Sequence, residues 1–478
     1  MESFLGHNSK ESDFMKIAII GSGWAGLSCA EQLCEYKSYD LTIFEMSPLA
    51  GGRARGLSWK LKDDRILKID NGQHLVIGAY DKFLRLLKTC KSPEWQVQDF
   101  KWTTVELSKK TFSKKNTFFV KKNERLAPFD LLSLSLIQGI PFSWKLQLGY
   151  IILLSKFKKP VNDEGARKWL EKNFQTSRII QFFWKPFIES TLNTEIENAS
   201  TIVFLNVLME CFKNIPNSIQ IFHPKNNFAI DAIDPVLSYL SSKGVKINLN
   251  TRVSKITNNF ELLTKTGFTD PFDIIILALP NHSANRIWKS SNFPKTDESN
   301  NWRTKEYRQI YNLWVALPKG FGCKIPVDKL NWEIVCRLDP DYDDFYVVLD
   351  RPDESNGKVI SIVKSAIVSD ITAEEIIKET SAIKDFTDKY LKHRFNLNLI
   401  DCEYKLVKER KATFACLAGL DNKKTLHQKI KTGVTGIFKC SDEGINNLPA
   451  TIESAVRSGI AVAQKVKAIK PENFSSIV

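Results

Sequence analysis

The sequence predicts an α/β fold in which a parallel sheet is combined with an interleaved α+β region. Three observations support this prediction. A short apolar strand pattern near the N-terminus is followed by closely spaced glycines, a second buried strand pattern lies in the middle of the chain, and a strand followed by a helix ends it. The chain has 478 residues, of which 43% are hydrophobic, so two or three domains with a sizeable core are expected.

The first pattern is a strand that leads into a glycine-rich turn. Ile17 to Ile20 is an apolar, β-branched run that is typical of a buried parallel strand. Gly21, Gly23 and Gly26 follow with the spacing G-x-G-x-x-G, and a helix is predicted to begin near Ala25. Gly21 permits the tight turn, Gly23 lets a pyrophosphate approach the backbone, and Gly26 lets the helix pack closely on the strand. This arrangement indicates a Rossmann-like site for a dinucleotide.

An acidic residue and a second glycine pair extend this site. Leu41 to Phe44 reads as the next strand, and Glu45 lies nineteen residues after Gly26, where an acid that binds ribose hydroxyls is expected. The sequence 51–55 then reads Gly-Gly-Arg-Ala-Arg. A second glycine pair with a cation suits a flavin dinucleotide, whose longer body runs past the first turn. The alternatives are a glycine turn without a nucleotide and a solvated pair of arginines.

These motifs resemble those of the two-dinucleotide-binding flavoproteins of the amine oxidase and phytoene desaturase superfamily. The segment 70–80, DNGQHLVIGAY, is similar to one branch, the squalene-associated flavoproteins, as are Trp184 to Phe187 and Leu192 to Thr194. The resemblance implies that the segment 70–80 lies near the flavin ring. It makes His74 and Asp70 the candidate proton donors, although a histidine here is equally compatible with a structural role.

The resemblance also assigns cofactor contacts in the second half of the chain. It implies that Val253 lies beside the adenine and that Asp442 meets the ribityl–phosphate part of the flavin. Relatives have Ala-Gly before that acid, whereas this chain has Cys440-Ser441, which puts the close approach of the backbone in question. A helix whose first turn contains Pro449 is predicted to direct its N-terminus at the N1–C2 edge of the flavin.

The complete prediction for the site names FAD as the cofactor and no metal. The residues expected to bind FAD are Gly21, Gly23, Trp24, Ala25, Gly26, Glu45, Gly52, Arg53, Gly72, Gln73, Val253, Asp442, Pro449, Ala450 and Thr451.

The predicted domains alternate along the chain. Residues 1–15 are expected to be a disordered extension, and the FAD-binding domain comprises residues 16–80, 226–295 and 411–478. The substrate domain comprises a helical part, 81–225, and a second part, 296–410, in which several segments read as sheet strands. Within the helical part, Leu126 to Lys159 predicts two amphipathic helices that either contact a membrane or form a buried hairpin.

Charge and cysteine content limit which binding partners and which cellular compartment are expected. The net charge of +14 comes from scattered basic residues without a nucleic-acid-binding module, so an anionic membrane surface is favoured over nucleic acid. A lysine-rich composition without a dedicated partner is the alternative. The nine cysteines show no metal-site or disulfide spacing, and no secretory leader is apparent. A cytoplasmic protein, peripheral on the inner face of the membrane, is therefore expected. A homodimer and contacts with enzymes of the same pathway are both compatible with the sequence.

The activity is predicted from the resemblance alone. It implies reductive removal of the hydroxyl group of hydroxysqualene, an isoprenoid lipid, to give squalene in hopanoid biosynthesis, with hydride from reduced flavin. One alternative is a carotenoid or isoprenoid desaturase, which transfers hydride to oxidised flavin. A second is a flavin-binding lipid carrier without turnover.

Overall fold

The computed structural model describes most of the chain. The described residues are 14–99, 101–108, 111–120, 137–157, 162–213, 217–294, 296, 302, 306–319, 321, 331–337, 344–352, 358–419, 430–443 and 448–469. Of the extension predicted at residues 1–15, residues 1–13 lie outside this set, and Met15 is the first residue of a strand.

A five-stranded parallel sheet forms the nucleotide-binding part of the molecule and confirms the predicted fold class. Its strands are nearly continuous apolar runs, as expected for strands that are covered on both faces. The two central strands are almost completely buried from Ile17 to Ile20 and from Ile274 to Leu277. In spatial order the strands are Lys246–Asn248, Tyr39–Phe44, Met15–Ile20, Ile274–Leu277 and Ile437–Lys439.

Two helices pack closely against each other beside this sheet. The helix Trp24–Leu33 follows the first strand, and the helix Ile452–Lys467 comes from the C-terminal segment. A Cβ atom at Gly459 would lie 2.1 Å from the carbonyl oxygen of Ala25, so only glycine permits this approach. The packing joins the two ends of the chain.

The second large element is an eight-stranded sheet. Neighbouring strands are antiparallel except Lys101–Ser108 and Asn331–Arg337, which are parallel. In spatial order its strands are Glu403–Phe414, Tyr307–Ala316, Lys358–Val368, Phe345–Pro352, Asn331–Arg337, Lys101–Ser108, Thr111–Val120 and Ile137–Gln138. Three smaller sheets comprise Gly56–Lys60 with Ile66–Asp70; Val76–Ile77, Ile221–His223 and Gln96–Gln98; and Lys255–Ile256, Leu262–Thr264 and Gly267–Phe268.

The remaining helices connect the strands of these sheets along the chain. The α-helices are Asp81–Thr89, Phe142–Phe157, Ala166–Lys172, Ser177–Ile179, Lys185–Leu192, Thr201–Phe212, Asp234–Ser242, Asn281–Ser290 and Ala373–Phe395. The π-helical turns are Ile180–Trp184 and Ala229–Ile233, and the 3₁₀ turns are Asn217–Ile219 and Leu399–Asp401. None of the helices within the described ranges is both long and apolar enough to cross a membrane.

The description of residues 81–225 as helical is wrong in part. Lys101–Ser108 and Thr111–Val120 are strands of the eight-stranded sheet, because the first of them pairs with residues more than 200 positions later in the chain. The segment 126–159 contains one described helix, Phe142–Phe157, preceded by the short strand Ile137–Gln138; residues 126–136 lie outside the described set. One helix of the predicted pair is thus described, and the part of the prediction that falls on residues 126–136 lies outside the described residues.

Candidate active site

The glycine-rich turn has one position that protein packing leaves open. A Cβ atom at Gly26 would lie 2.0 Å from the carbonyl oxygen of Gly21, and a Cβ at Gly21 would lie 2.5 Å from that of Ala278. A Cβ at Gly23 would meet only the Cα of Gly52, at 4.0 Å. Gly21 and Gly26 are thus required by the fold, whereas Gly23 leaves space at the N-terminus of the helix Trp24–Leu33. That space fits a pyrophosphate, which binds helix N-termini.

The different surroundings of Gly23 and Gly26 lead to a testable prediction. Gly23→Ala is expected to weaken FAD binding about tenfold and to leave the melting temperature of the apoprotein almost unchanged. Gly26→Ala is expected to destabilise the apoprotein itself, because the added methyl group would overlap a backbone oxygen. Fluorescence titration of the apoproteins with FAD, together with thermal unfolding, measures both effects. Unchanged FAD affinity in Gly23→Ala would contradict the pyrophosphate assignment.

Glu45 lies at the carboxyl edge of the sheet, directly against this turn. One of its carboxylate oxygens accepts hydrogen bonds from the backbone N–H and the hydroxyl of Ser22, both at 2.9 Å. The other oxygen accepts the N–H of Ser47 at 2.8 Å. A carboxylate has about four acceptor positions, so capacity remains for a ribose hydroxyl. Val253, the predicted adenine neighbour, is buried in a cluster with Phe44 at the same edge.

Arg53 and Asp442 are brought together from opposite ends of the chain. Nη2 of Arg53 lies 2.6 Å from Oδ1 of Asp442, and Nη1 donates to the carbonyl oxygen of Ala412 at 3.0 Å. Gly52, immediately before Arg53, has a φ of +63° and lies against Gly23. The second glycine pair, its cation and the C-terminal acid therefore form one continuous surface with the first glycine turn.

The side chain of Ser441 is directed into the protein. Its hydroxyl accepts hydrogen bonds from Nζ of Lys439 at 3.0 Å and from the N–H of Glu443 at 3.3 Å. Its own N–H donates to the hydroxyl of Ser458. Ser441 is absent from the residues with positive φ, so its backbone conformation does not require glycine. The serine is thus accommodated by internal hydrogen bonds.

The C-terminal helix begins later than predicted. Its first residue is Ile452, and the hydroxyl of Thr451 caps it by accepting the N–H of Ser454 at 3.0 Å. Pro449 and Ala450 precede the cap, so the prediction that Pro449 lies in the first helical turn is wrong. The capping hydroxyl determines the start of this helix, because it satisfies an N–H that the first turn leaves without a helical partner.

The segment after the strand Ile66–Asp70 has a defined hydrogen-bond pattern. The amide of Asn71 accepts the N–H of Arg55 with Oδ1 and donates to the carbonyl oxygen of Arg53 with Nδ2. Its orientation is therefore fixed, and the contact of 3.0 Å between Oδ1 and Nε2 of His74 requires a hydrogen on Nε2. Burial lowers the pKa of His74 to about 4. At neutral pH the imidazole is neutral, with its only N–H bound to Asn71 and with Nδ1 as an acceptor.

Asp70 is the other residue that was predicted as a proton donor. It is buried, and Oδ1 accepts the N–H of Phe228 at 2.9 Å. Asp70 and His74 both line a small cavity of about 20 Å³, which we name the polar cavity. The other residues that line it are Gln73, Leu75, His223, Pro224, Trp314 and Leu349. Gly72, the remaining predicted residue of this segment, lies beside the ring of His74.

A second polar cluster next to Asp442 was not found from the sequence. The hydroxyl of Tyr307 donates to Glu443 at 2.5 Å and lies 3.0 Å from Nδ1 of His282. The other carboxylate oxygen of Glu443 accepts the N–H of Asn281 at 2.7 Å. The only local signal was that Glu443 directly follows the predicted acid, since Tyr307 and His282 lie far away in the sequence.

The aromatic residues expected near an isoprenoid chain lie in the core on one side of the eight-stranded sheet. Phe182, Phe183 and Trp184 are buried, and the indole N–H of Trp184 donates to Gln175 at 2.8 Å. Phe187 is half-buried and packs against the same cluster. Their contact with a lipid stays a prediction.

The residues along this surface fit FAD. The open position at Gly23, the acceptor at Glu45, the Arg53–Asp442 pair and the capped N-terminus at Thr451 offer groups for the pyrophosphate, ribose and flavin ends.

The chain is similar to known flavoproteins over most of its length. The family model described as flavin containing amine oxidoreductase matches residues 24–467. The chain is 24% identical over 468 residues to a hydroxysqualene dehydroxylase from Zymomonas mobilis, which covers 93% of this chain and 97% of that protein. It is 22% identical over 465 residues to a hydroxysqualene dehydroxylase from Sinorhizobium fredii, covering 93% and 96%.

Two solved structures show the same fold at low identity. An oxidoreductase from Methanosarcina mazei superposes with a TM-score of 0.67 at 15% identity, covering 94% of this chain and 100% of that one. Cyclohexylamine oxidase from Brevibacterium oxydans superposes with a TM-score of 0.61 at 13% identity, covering 95% and 100%.

Proposed function

The chain belongs to the flavin-containing amine oxidoreductase family and is an FAD-dependent oxidoreductase, and within that family we propose that it converts hydroxysqualene to squalene. The names of two relatives that match almost the whole chain support this substrate. The observation that carries the proposal is the position of the segment 70–74. This segment lines the polar cavity together with Trp314 and Leu349 of the eight-stranded sheet, and Asn71 within it donates to the carbonyl oxygen of Arg53, so it connects the second glycine turn with that sheet.

The proposed reaction needs one proton and one hydride. The C–O bond of the allylic alcohol breaks, the proton joins the leaving oxygen to give water, and the hydride joins the carbon. Reduced FAD, when bound, supplies the hydride. The protein has to hold the lipid, exclude water and deliver the proton, and Asp70 is the proposed donor because His74 binds Asn71 with its only N–H.

Product analysis under anaerobic conditions tests the function. The holoenzyme is reduced chemically, mixed with hydroxysqualene, and followed by flavin absorbance and by mass spectrometry of lipid extracts. Squalene formed in parallel with flavin reoxidation is the expected result. Unchanged hydroxysqualene would contradict the proposal. Dehydrogenation of a phytoene-type polyene by the oxidised enzyme would then indicate a desaturase, and isoprenoid binding without a change in flavin redox state would indicate a carrier.

An exposed apolar stripe on the helix Phe142–Phe157 supports contact with a membrane, from which such a lipid would be taken. Phe142, Leu146, Tyr150 and Leu153 are 73%, 59%, 37% and 38% exposed. Their spacing places them along one side of the helix, while Leu148, Ile151 and Ile152 pack into the core. The ring of Phe174, 79% exposed, lies 6.2 Å from that of Tyr150 and extends the stripe.

The charges of this helix favour an anionic bilayer. The helix contains Lys145 and Lys156 and no acidic residue. A helix with apolar side chains on the surface and lysines near both ends matches the interfacial mode of membrane binding, in which apolar side chains enter the headgroup boundary and cations meet the phosphates.

Mutation of the stripe is expected to release the protein from vesicles. Leu146→Asp should lower the fraction bound to vesicles that contain an anionic phospholipid about tenfold, since it removes an exposed leucine that would enter the bilayer and adds a negative charge that the lipid headgroups repel. Ile377→Asp is the matched control, because Ile377 is similarly exposed (65%) on the helix Ala373–Phe395. Co-sedimentation measures both. Equal binding of the two variants, or no binding of the unmodified protein, would contradict the membrane assignment.

A further inference from the structure

We propose that the polar cavity binds the hydroxyl group of the substrate, with Trp314 and Gln73 as hydrogen-bond donors that distinguish the alcohol from its deoxygenated product. The inference rests on the proposed function, because it identifies the part of the site that recognises oxygen. It concerns binding rather than the transfer of hydride.

Two buried N–H donors at this cavity have no acceptor in the described part of the chain. They are Nε1 of Trp314 and Nε2 of Gln73, and both residues line the cavity. Trp314 is only 1% exposed, so water outside the protein does not reach its indole N–H. Leaving a buried donor without an acceptor costs about 1 to 3 kcal/mol. Two such donors at one cavity point to an acceptor that binds there.

The size of the cavity limits what that acceptor is. A volume of about 20 Å³ admits one group of the size of a water molecule. A carboxylate or a phosphate is too large, whereas a single hydroxyl oxygen fits. An indole N–H and an amide NH₂ group are donors, so the bound atom has to accept hydrogen bonds.

The other polar groups of the cavity complement a hydroxyl. The carboxyl group of Asp70 keeps an acceptor oxygen even when it carries a proton, and Nδ1 of His74 is an acceptor because Nε2 carries the hydrogen that binds Asn71. An alcohol both accepts from Trp314 and Gln73 and donates its own hydrogen, so it satisfies both kinds of partner.

An apolar wall lies next to these polar groups. Leu349 lines the cavity and belongs to the buried cluster that contains Trp332, Phe345 and Val347 on the eight-stranded sheet. The hydroxyl of a lipid alcohol would thus enter the polar cavity while its hydrocarbon lies against the apolar cluster. Squalene has no oxygen, so it would leave both donors unpaired and bind more weakly, which favours release of the product.

Ligand binding to the oxidised holoenzyme tests the inference without turnover, because no reductant is present. Hydroxysqualene and squalene are titrated separately in the same detergent, and binding is followed by the change in flavin absorbance. The unmodified protein is expected to bind hydroxysqualene at least about tenfold more tightly than squalene, consistent with one or two hydrogen bonds. Trp314→Phe should reduce the ratio of the two affinities to near one, because it weakens the binding of hydroxysqualene and leaves that of squalene unchanged.

Two further variants distinguish the loss of a hydrogen bond from a general effect of mutation on folding. Trp59→Phe makes the same change at a residue that packs against the same apolar cluster as Trp314 but does not line the cavity, and it should keep the ratio. Gln73→Met removes the second donor with little change in shape and should reduce the ratio even if Trp314→Phe fails to fold. FAD content and melting temperature are measured for each protein.

The outcomes separate this inference from the proposed function. A ratio that Trp314→Phe and Gln73→Met leave unchanged, or a ratio near one in the unmodified protein, would overturn the inference even if squalene is formed. A preference for hydroxysqualene that depends on both donors supports the inference even if the anaerobic assay yields no squalene. An ordered water that keeps the cavity filled would give equal affinities and would also overturn it.

Discussion

Replacing Asp70 by asparagine is expected to slow the reoxidation of the reduced enzyme by hydroxysqualene between about 100- and 10,000-fold, the usual range for loss of a general acid. Asparagine has nearly the same shape and its carbonyl oxygen still accepts the N–H of Phe228, so the turn should persist. His74→Gln should have a smaller effect, below about tenfold, because the N–H of His74 binds Asn71. Rapid mixing of the reduced holoenzyme with substrate under anaerobic conditions gives both rates.

Asp231→Asn is the matched control for Asp70→Asn. Asp231 is also buried, and its carboxylate accepts the N–H and the side-chain amide of Asn226 in the turn adjoining Phe228, but it does not line the polar cavity. The rate of flavin reoxidation in Asp231→Asn should stay within a few-fold of the rate in the unmodified protein. If Asp70→Asn behaved like this control at normal FAD content, Asp70 would no longer be the proton donor.

Removal of Arg53 is expected to yield protein that is purified largely without FAD. In Arg53→Ala the cation of the second glycine turn is lost and Asp442 keeps its negative charge next to the expected pyrophosphate, so FAD affinity should fall about 10- to 100-fold. The loss of the ion pair should also lower the free energy of unfolding by about 2 kcal/mol. This value lies between those of exposed and buried pairs, because the side chain of Arg53 is one third exposed and that of Asp442 is buried. Absorbance at 450 nm per protein and titration with FAD measure the first effect.

The chain contains a closely matched ion pair outside the nucleotide-binding part. Arg394 pairs with Glu333 at 2.6 Å, and the side-chain exposures are 33% and 4%, against 33% and 8% for Arg53 and Asp442. Arg394→Ala should therefore lose a similar amount of stability and retain FAD. Equal FAD loss in both variants would mean that Arg53 acts only through the stability of the fold.

The sequence was most informative where a feature depends on neighbouring residues. The strand from Ile17 to Ile20, the glycine spacing and the position of Glu45 are local patterns, and the structure places them in one turn. The start of the C-terminal helix was missed by a few residues, because the cap at Thr451 competed with a proline that suits a first turn equally well.

Features that depend on distant residues could not be predicted. The strand Lys101–Ser108 has a parallel partner in Asn331–Arg337, and nothing within the strand identifies that partner. The polar cavity likewise joins Gln73 and Trp314, which are 241 positions apart, and both look unremarkable in their own segments. The motif that resembles squalene-associated proteins indicated Asp70 and His74, but only the orientation of Asn71 shows that the N–H of His74 is already bound.

The order of strands in the parallel sheet has a consequence for the biosynthesis of the protein. The strand Met15–Ile20 lies beside Ile274–Leu277, which is translated more than 250 residues later and has Ile437–Lys439 as its other neighbour. Asp442 leaves the ribosome 389 residues after Arg53, which corresponds to roughly 20 to 80 s at ordinary translation rates. During that time the nascent chain exposes unpaired strand edges and an incomplete cofactor cradle. The Arg53–Asp442 pair therefore forms only after residue 442 has been made, and a completed cofactor cradle cannot assist the folding of the earlier segments.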